Sequence, residues 1–143
     1  MPDVQHAVAR ARGASGPTDY QVQIHAGRHA LSADEPQTRG GTDAGPAPYE
    51  LVLSGLVACT AITLRMYAQR KGWNLAGVRV EALFVKRGVA PHIDRRLWLE
   101  GDLTPEQKAS LLGIAERTPV TLTLKNGLAI NTELRSDGDS EAP

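Results

Sequence analysis

Residues 51–64 read Leu-Val-Leu-Ser-Gly-Leu-Val-Ala-Cys-Thr-Ala-Ile-Thr-Leu, 14 residues without a charge. Pro48 stands just before this run, and Arg70-Lys71-Gly72 closes the segment that follows it. Proline suits a first helical position. Cations in a last turn followed by glycine suit a helix end. The segment therefore predicts one long helix from about Pro48 to Gly72, apolar in its middle on nearly every face. Such a helix is either buried all round or packed against a second copy of itself. The uncharged run is shorter than a bilayer requires, which favours a core helix over a membrane span. The rest of the chain must cover this helix.

The 143 residues amount to one ordinary domain, able to bury a core without staples. We assign residues 1–135 to a single domain and 136–143 to a polar, frayed tail. Lys plus Arg and Asp plus Glu are 16 each, so the net charge is zero. The cations are scattered, which argues against a nucleic-acid partner or an anionic membrane. The first residues lack the basic-then-apolar pattern of a signal peptide. One cysteine and no such leader point to a soluble cytoplasmic protein in a reducing compartment.

Around the long helix the pattern alternates. Val4 to Arg12, Tyr20 to His25 and Arg28 to Ala33 read as strands of an N-terminal antiparallel sheet, with Gly13 to Pro17 as a turn. Asp34 to Pro48 is rich in Gly and Pro and reads as a long loop, of a length that is usually functional. Val78 to Val85 and His92 to Leu99 predict a hairpin turned near Gly88 and Pro91. Thr104-Pro-Glu-Gln107 is a capping box that opens a second helix, ending near Arg117. Asn126-Gly127 predicts a turn, and Leu128 to Leu134 a last strand. The fold class is α+β: an antiparallel sheet with two principal helices.

Several chemistries have no support. There is no G-x-x-x-x-G-K-[ST] loop, no G-x-G-x-x-G and no G-x-S-x-G elbow. His25 and His29 flank Gly27, as solvated residues at strand ends do, and His6 and His92 stand alone. No metal site and no cofactor are expected.

Cys59 is the chain's single thiol, so it forms neither an internal disulfide nor a multi-thiolate metal site. Two readings compete. Free cysteine is often an inert, buried hydrophobe, and apolar surroundings raise its pKa. A reactive thiolate needs stabilisation, yet Cys59 lies about three turns from the helix start, where the dipole helps little. A cation would have to come from another segment.

The run from Arg39-Gly-Gly-Thr-Asp-Ala-Gly-Pro-Ala-Pro-Tyr-Glu-Leu through Val-Ala-Cys59-Thr to Trp73 closely resembles the signature of the OsmC/Ohr superfamily, the osmotically inducible and organic hydroperoxide resistance proteins. Ala-Asp-Glu-Pro36 and the order of elements fit as well. The resemblance implies an intertwined homodimer with two long central helices back to back, and antiparallel sheets around them. It implies that Cys59 is a peroxidatic cysteine. It also implies that Arg39, in the loop before the helix, stabilises the thiolate, in its own subunit or the partner's. In that chemistry the thiolate takes an oxygen from a hydroperoxide and becomes sulfenic acid. Arginine lowers the thiol pKa and stabilises charge on the leaving oxygen.

Two positions depart from the family pattern. Peroxide-reducing members carry an arginine-orienting glutamate where this chain has Tyr49. Glu50 is next door, either as that orienter or as an acid in the first helical turn; Asp34 and Glu35 are further possible partners of Arg39. The family's resolving cysteine, often in a Cys-Pro-Val context, is replaced by Thr118-Pro119-Val120. An oxidised Cys59 would then need an external thiol or dithiol reductant. The sequence thus points to a thiol-dependent peroxidase acting on organic hydroperoxides, with Cys59, Arg39 and Glu50 as site residues. The alternative is a non-catalytic module that binds a small apolar ligand or senses redox state.

Overall fold

A computed structural model of the chain describes residues 6–136. β1 (Ala11–Ser15), β2 (Val22–Ala26) and β3 (His29–Ala33) form an antiparallel sheet in that order. Its register pairs Ala11 with Ala26 and Val22 with Ala33. The first strand starts later than its alternation suggests. Gly13 to Ser15 belong to it, and the turn lies beyond, where the Gly16 N–H donates to the Gln21 carbonyl at 2.6 Å. Pairing with β2 fixes that boundary, which periodicity along one strand does not. Val4 and Gln5, at the start of the expected strand, lie outside the described residues, as does most of the expected tail, residues 137–143.

The loop from Asp34 onward contains a short 3-10 turn, Gln37–Arg39. Asp34 organises it, through the loop backbone and Thr42 rather than through Arg39. Its buried carboxylate accepts the Glu35 and Ala44 N–H groups at 2.7 and 3.1 Å, and the Thr42 N–H and hydroxyl at 3.2 and 2.6 Å. The Thr42 hydroxyl, then the Ala44 N–H, hold this carboxyl below its ordinary pKa against the opposing effect of burial. Two glycines let the loop close on itself. A Cβ at Gly41 would collide with the Glu35 carbonyl, and one at Gly45 with the Ser32 carbonyl.

α1 (Pro48–Lys71) runs 24 residues and stops at Gly72, whose φ of 71° is the left-handed cap expected. β4 (Asn74–Val85) and β5 (His92–Asp102) form the hairpin, longer at both outer ends than alternation indicates. Asn74-Leu-Ala-Gly77 has no strand pattern of its own, and pairing with Glu100 to Asp102 draws it into the ladder across a bulge. Arg65 of α1 fastens this bulge by donating to the Leu75 and Ala76 carbonyls.

α2 (Pro105–Ala115) opens on the expected capping box. Gln107 N–H donates to the Thr104 hydroxyl at 3.1 Å, and Thr104 N–H to the Gln107 side chain at 3.0 Å. A further helix, α3 (Pro119–Asn126), follows at once. The sequence reading missed it because Val120-Thr-Leu-Thr-Leu124 alternates like a strand. Thr118-Pro119 carries the same cap-then-proline signal that announced α2.

The core joins Leu64 and Ala68 of α1 to Leu75, Leu111 and Ala115. One stripe of α1, Leu56, Thr60, Leu64 and Ala68, is buried within the chain. Val52, Ile62 and Met66 are exposed. α1 has the length and composition of a bilayer span, but it packs on β4, α2 and α3 as the central helix of a folded domain. The expected last strand is absent from the described fold. Leu128, Ile130 and Leu134 are 74, 87 and 99 % exposed, and no strand of the same chain pairs with them among the described residues. Alternation describes one face of a strand; it does not supply the neighbour a strand needs.

Candidate active site

Cys59 is half-buried on α1, on the side where the α2–α3 turn packs. Thr118 is the N-cap of α3: its hydroxyl accepts the Thr121 N–H at 3.3 Å. Pro119 has no N–H, so the first free donor of α3 is Val120 N–H. The Thr63 hydroxyl lies 3.8 Å from the sulfur. Burial pushes the thiol pKa up. The Val120 N–H, the Thr118 and Thr63 hydroxyls and the charge of Arg95 together outweigh it, so the thiol lies below its ordinary value. A helix N-terminus does help here, but it is that of α3 rather than of the helix carrying the cysteine.

Arg95 is the cation that the thiolate reading required from another segment. It comes from β5, where Ile93, Arg95, Leu97 and Leu99 share the less exposed face. Its side chain is 12 % exposed. Nη1 donates to the Thr60 and Thr121 hydroxyls at 3.0 and 2.9 Å; Nη2 donates to the Ala115 carbonyl at 2.8 Å and lies 3.7 Å from Glu116. With these partners the guanidinium is fixed in place and acts on the sulfur by charge rather than by direct contact. The sequence reading missed Arg95, although a signal exists: one charged residue on the apolar face of an alternating strand.

Lys125 of α3 closes the cluster with a 2.7 Å ion pair to Glu116. That hydrogen bond, followed by further charge attraction from Lys125 and Arg95, holds the Glu116 carboxyl below its ordinary pKa despite some burial. A cavity of about 620 Å³ adjoins the cluster and shares Arg95, Ala115 and Thr121 with it. Its other walls are largely apolar and include Leu56, Phe84, Leu97, Leu112 and Leu124.

The other expected site residues lie elsewhere within the chain. Arg39 is exposed at the end of the 3-10 turn and is not among the groups acting on its own Cys59. Glu50 accepts the Ala47 N–H at 2.8 Å, so it fills the helix-start role. Nine residues separate it from Cys59, about two and a half turns, so the two point to opposite faces of α1. Tyr49 stacks on Phe84 with ring centroids 4.6 Å apart. Glu35 contributes its backbone to the loop: its N–H donates to Asp34 and its carbonyl accepts from Asp43. Among the described residues no group of His, Cys, Asp and Glu is arranged to hold a metal ion.

A family model described as OsmC-like protein matches residues 41–133. Several solved structures share the fold at low identity. An organic hydroperoxide resistance protein OsmC from Legionella pneumophila is 18 % identical, with a TM-score of 0.62 over 84 % of this chain and 90 % of that one. An OsmC-like protein from Mycoplasma pneumoniae is 16 % identical, with a TM-score of 0.67 over 84 % and 89 %. A Vibrio cholerae protein assigned to organic hydroperoxide resistance, with captopril bound in one of its active sites, is 18 % identical, with a TM-score of 0.61 over 87 % and 88 %. No curated protein matches the chain significantly by sequence.

Proposed function

Because this chain belongs to the OsmC-like protein family, we propose that it is a thiol-dependent peroxidase that reduces organic hydroperoxides through Cys59. The feature that carries this reading is a half-buried Cys59 whose pKa the Val120 N–H, the Thr118 and Thr63 hydroxyls and the Arg95 charge hold below its ordinary value against burial. Inert packing calls for none of them. The hydroperoxide resistance names of the Legionella and Vibrio proteins of like fold support it.

In the proposed reaction the thiolate attacks the terminal oxygen of R–O–OH. The S–O bond forms as the O–O bond breaks, and the electron pair leaves on RO⁻, which takes a proton to become the alcohol. Cys59 becomes sulfenic acid. Arg95 and the start of α3 lower the energy of the attacking thiolate. The apolar cavity beside Arg95 suits the R group and favours alkyl over hydrogen peroxide. A thiol R′–SH then gives Cys59–S–S–R′ and water, and a second thiol releases Cys59 with R′–S–S–R′. With Thr118 in place of a second cysteine, both thiols come from outside, which suits a reducing cytoplasm. A dithiol should support turnover better than glutathione at equal thiol concentration, because its second sulfur attacks intramolecularly.

The assembly proposed is a homodimer. The bare face of α1 and the unpaired Leu128 to Leu134 segment support it. In such a dimer Arg39 reaches the partner's thiol from outside, while Arg95 serves its own. A compact monomer in light scattering at micromolar concentration would remove this part of the reading. For the chemistry, one equivalent of cumene hydroperoxide should convert Cys59 rapidly to a dimedone-trappable sulfenic acid. Slow, non-stoichiometric oxidation would instead favour a module that binds a small apolar ligand in the 620 Å³ cavity.

A further inference from the structure

Tyr49 stands outside the thiolate cluster, yet it reaches the neighbouring cavity through one ring. Phe84 of β4 lines that cavity, and Tyr49 packs on Phe84 with the two rings tilted by 37°. Helix geometry explains the placement. Tyr49 comes seven residues before Leu56, close to two full turns, so both lie on one face of α1. Leu56 also lines the cavity and heads the stripe of α1 that is buried within the chain. Tyr49 carries that stripe on to the start of the helix. It is itself 59 % exposed, so it adds little to the core. The ring it does cover belongs to the cavity wall.

The cavity has a polar side and an apolar side. On the polar side Arg95, Thr121, Glu116 and Lys125 are joined by hydrogen bonds and ion pairs. Ile93 and Arg95 are neighbours on one face of β5. Phe84 pairs with Ile93, so it stands one step beyond Arg95 toward the hairpin turn. His92 follows there, but its ring nitrogens are engaged by the Ala90 carbonyl at 2.8 Å and by Asp94 at 3.4 Å. On α1, Thr60 accepts from Arg95 and lies eleven residues after Tyr49, about 16 Å of helix. A chain that starts beside Arg95 and runs toward the start of α1 therefore meets Leu56 first and the Phe84–Tyr49 pair last.

We propose that Tyr49 is a specificity-determining residue for the R group: its ring holds the Phe84 ring as the wall at which the alkyl chain ends. Tyr49 acts through Phe84 and is a positioning residue. An aromatic pair holds more firmly than its buried area alone provides. Without Tyr49, Phe84 is free to change rotamer, and the cavity opens toward the start of α1. This role rests on the reading of the cavity as the R-group site and deepens it, by naming what limits the length of chain it takes.

The test uses 1-alkanols from butanol to decanol, the class of alcohol the proposed reaction releases. They are titrated into the full chain and followed by the methyl resonances of Leu56, Ile93 and Leu112. In the wild type each added methylene should strengthen binding by about four-fold, until the chain reaches Phe84 and affinity levels off. In Tyr49→Ala that limit should move to longer alkanols, with butanol bound as in the wild type. Tyr49→Phe should keep the wild-type limit, because the ring and not the hydroxyl does the holding. An unchanged limit in Tyr49→Ala would overturn the assignment. So would equal weakening at every chain length, which a merely structural role would give, or a wild type that binds no alkanol. If Tyr49→Ala fails to fold, the wild type decides: the Phe84 and Tyr49 ring resonances should move with alkanols at the limit and stay still with butanol. Rings that respond alike to every alkanol would also overturn it. Alkanols do not oxidise thiols, so the result is read apart from Cys59. Absence of sulfenic acid with the shifted limit intact would reject the peroxidase and leave the role of Tyr49 standing.

Discussion

Two polar turns serve the fold, one directly before α1 and one between α2 and α3, and they are built in opposite ways. The loop between Asp34 and Pro48 folds inward on a carboxylate and points its arginine out: Asp34 collects four hydrogen bonds, and Arg39 stands exposed. The turn between α2 and α3 buries its hydroxyls, Thr118 and Thr121, and takes in an arginine from β5. Family resemblance directs attention to the first turn. Within one chain, the chemistry at Cys59 comes from the second. A residue that completes a site from a partner can be exposed in its own chain, whereas one that tunes its own nucleophile has to be packed beside it.

The comparison breaks most visibly at Arg95. Arg95→Met removes donors to Thr60, Thr121 and the Ala115 carbonyl from a nearly buried position. It should cost roughly 3 kcal/mol in urea unfolding and raise the Cys59 midpoint. Arg39→Ala should leave stability unchanged. Its effect on thiolate titration should appear only in the dimer and vanish on dilution to monomer. An Arg39→Ala protein that loses the thiolate in the monomeric form would reverse the assignment of the two turns.

Thr118→Cys sharpens the geometry of the second turn. The Thr118 hydroxyl acts on the Cys59 thiol, so peroxide should produce a disulfide between Cys59 and the introduced cysteine, detectable by mass spectrometry. Persistent sulfenic or sulfinic acid at Cys59 beside a free introduced thiol would mean that the two positions do not meet.

The two turns should also separate by pH. Cys59 is depressed in the folded chain, so its thiolate contributes stability that is full above the unfolded thiol pKa and is lost as pH falls through the lower folded value. Iodoacetamide alkylation should follow the same course, staying fast below the free-thiol pKa of about 8.5. Asp34 is likewise depressed; its contribution is full above the unfolded carboxylate pKa and is lost as pH falls through the folded one. Asp34→Asn should therefore flatten the acid limb of the stability curve without moving the Cys59 midpoint. A moved midpoint would show that the turns are coupled. The smallest expected effect is at the cap of α2: Thr104→Ala should cost about 1 kcal/mol and leave the thiol untouched.

Much of this was open to a reading of the chain, and the misses have local causes. Pro48, Gly72 and the Thr104–Gln107 box act within a turn of themselves, and the helix boundaries they imply match the fold. α3 was missed because alternation from Val120 to Leu124 masked the Thr118-Pro119 start. Arg95 was missed because its significance depends on which face of β5 is covered, and a sequence shows that only as a pattern. The Leu128 to Leu134 strand was expected from alternation, but no described element of the chain comes alongside it.

The sequence by itself determined the long apolar helix, the hairpin and the lone thiol, because these follow from composition and from neighbours a few residues apart. Only the tertiary structure decided that the thiol is tuned by a helix start 61 residues further on and by an arginine from β5, while Glu50 faces away. Hydrogen bonds and charge act over a few ångströms of space, and which residues come that close is settled by packing.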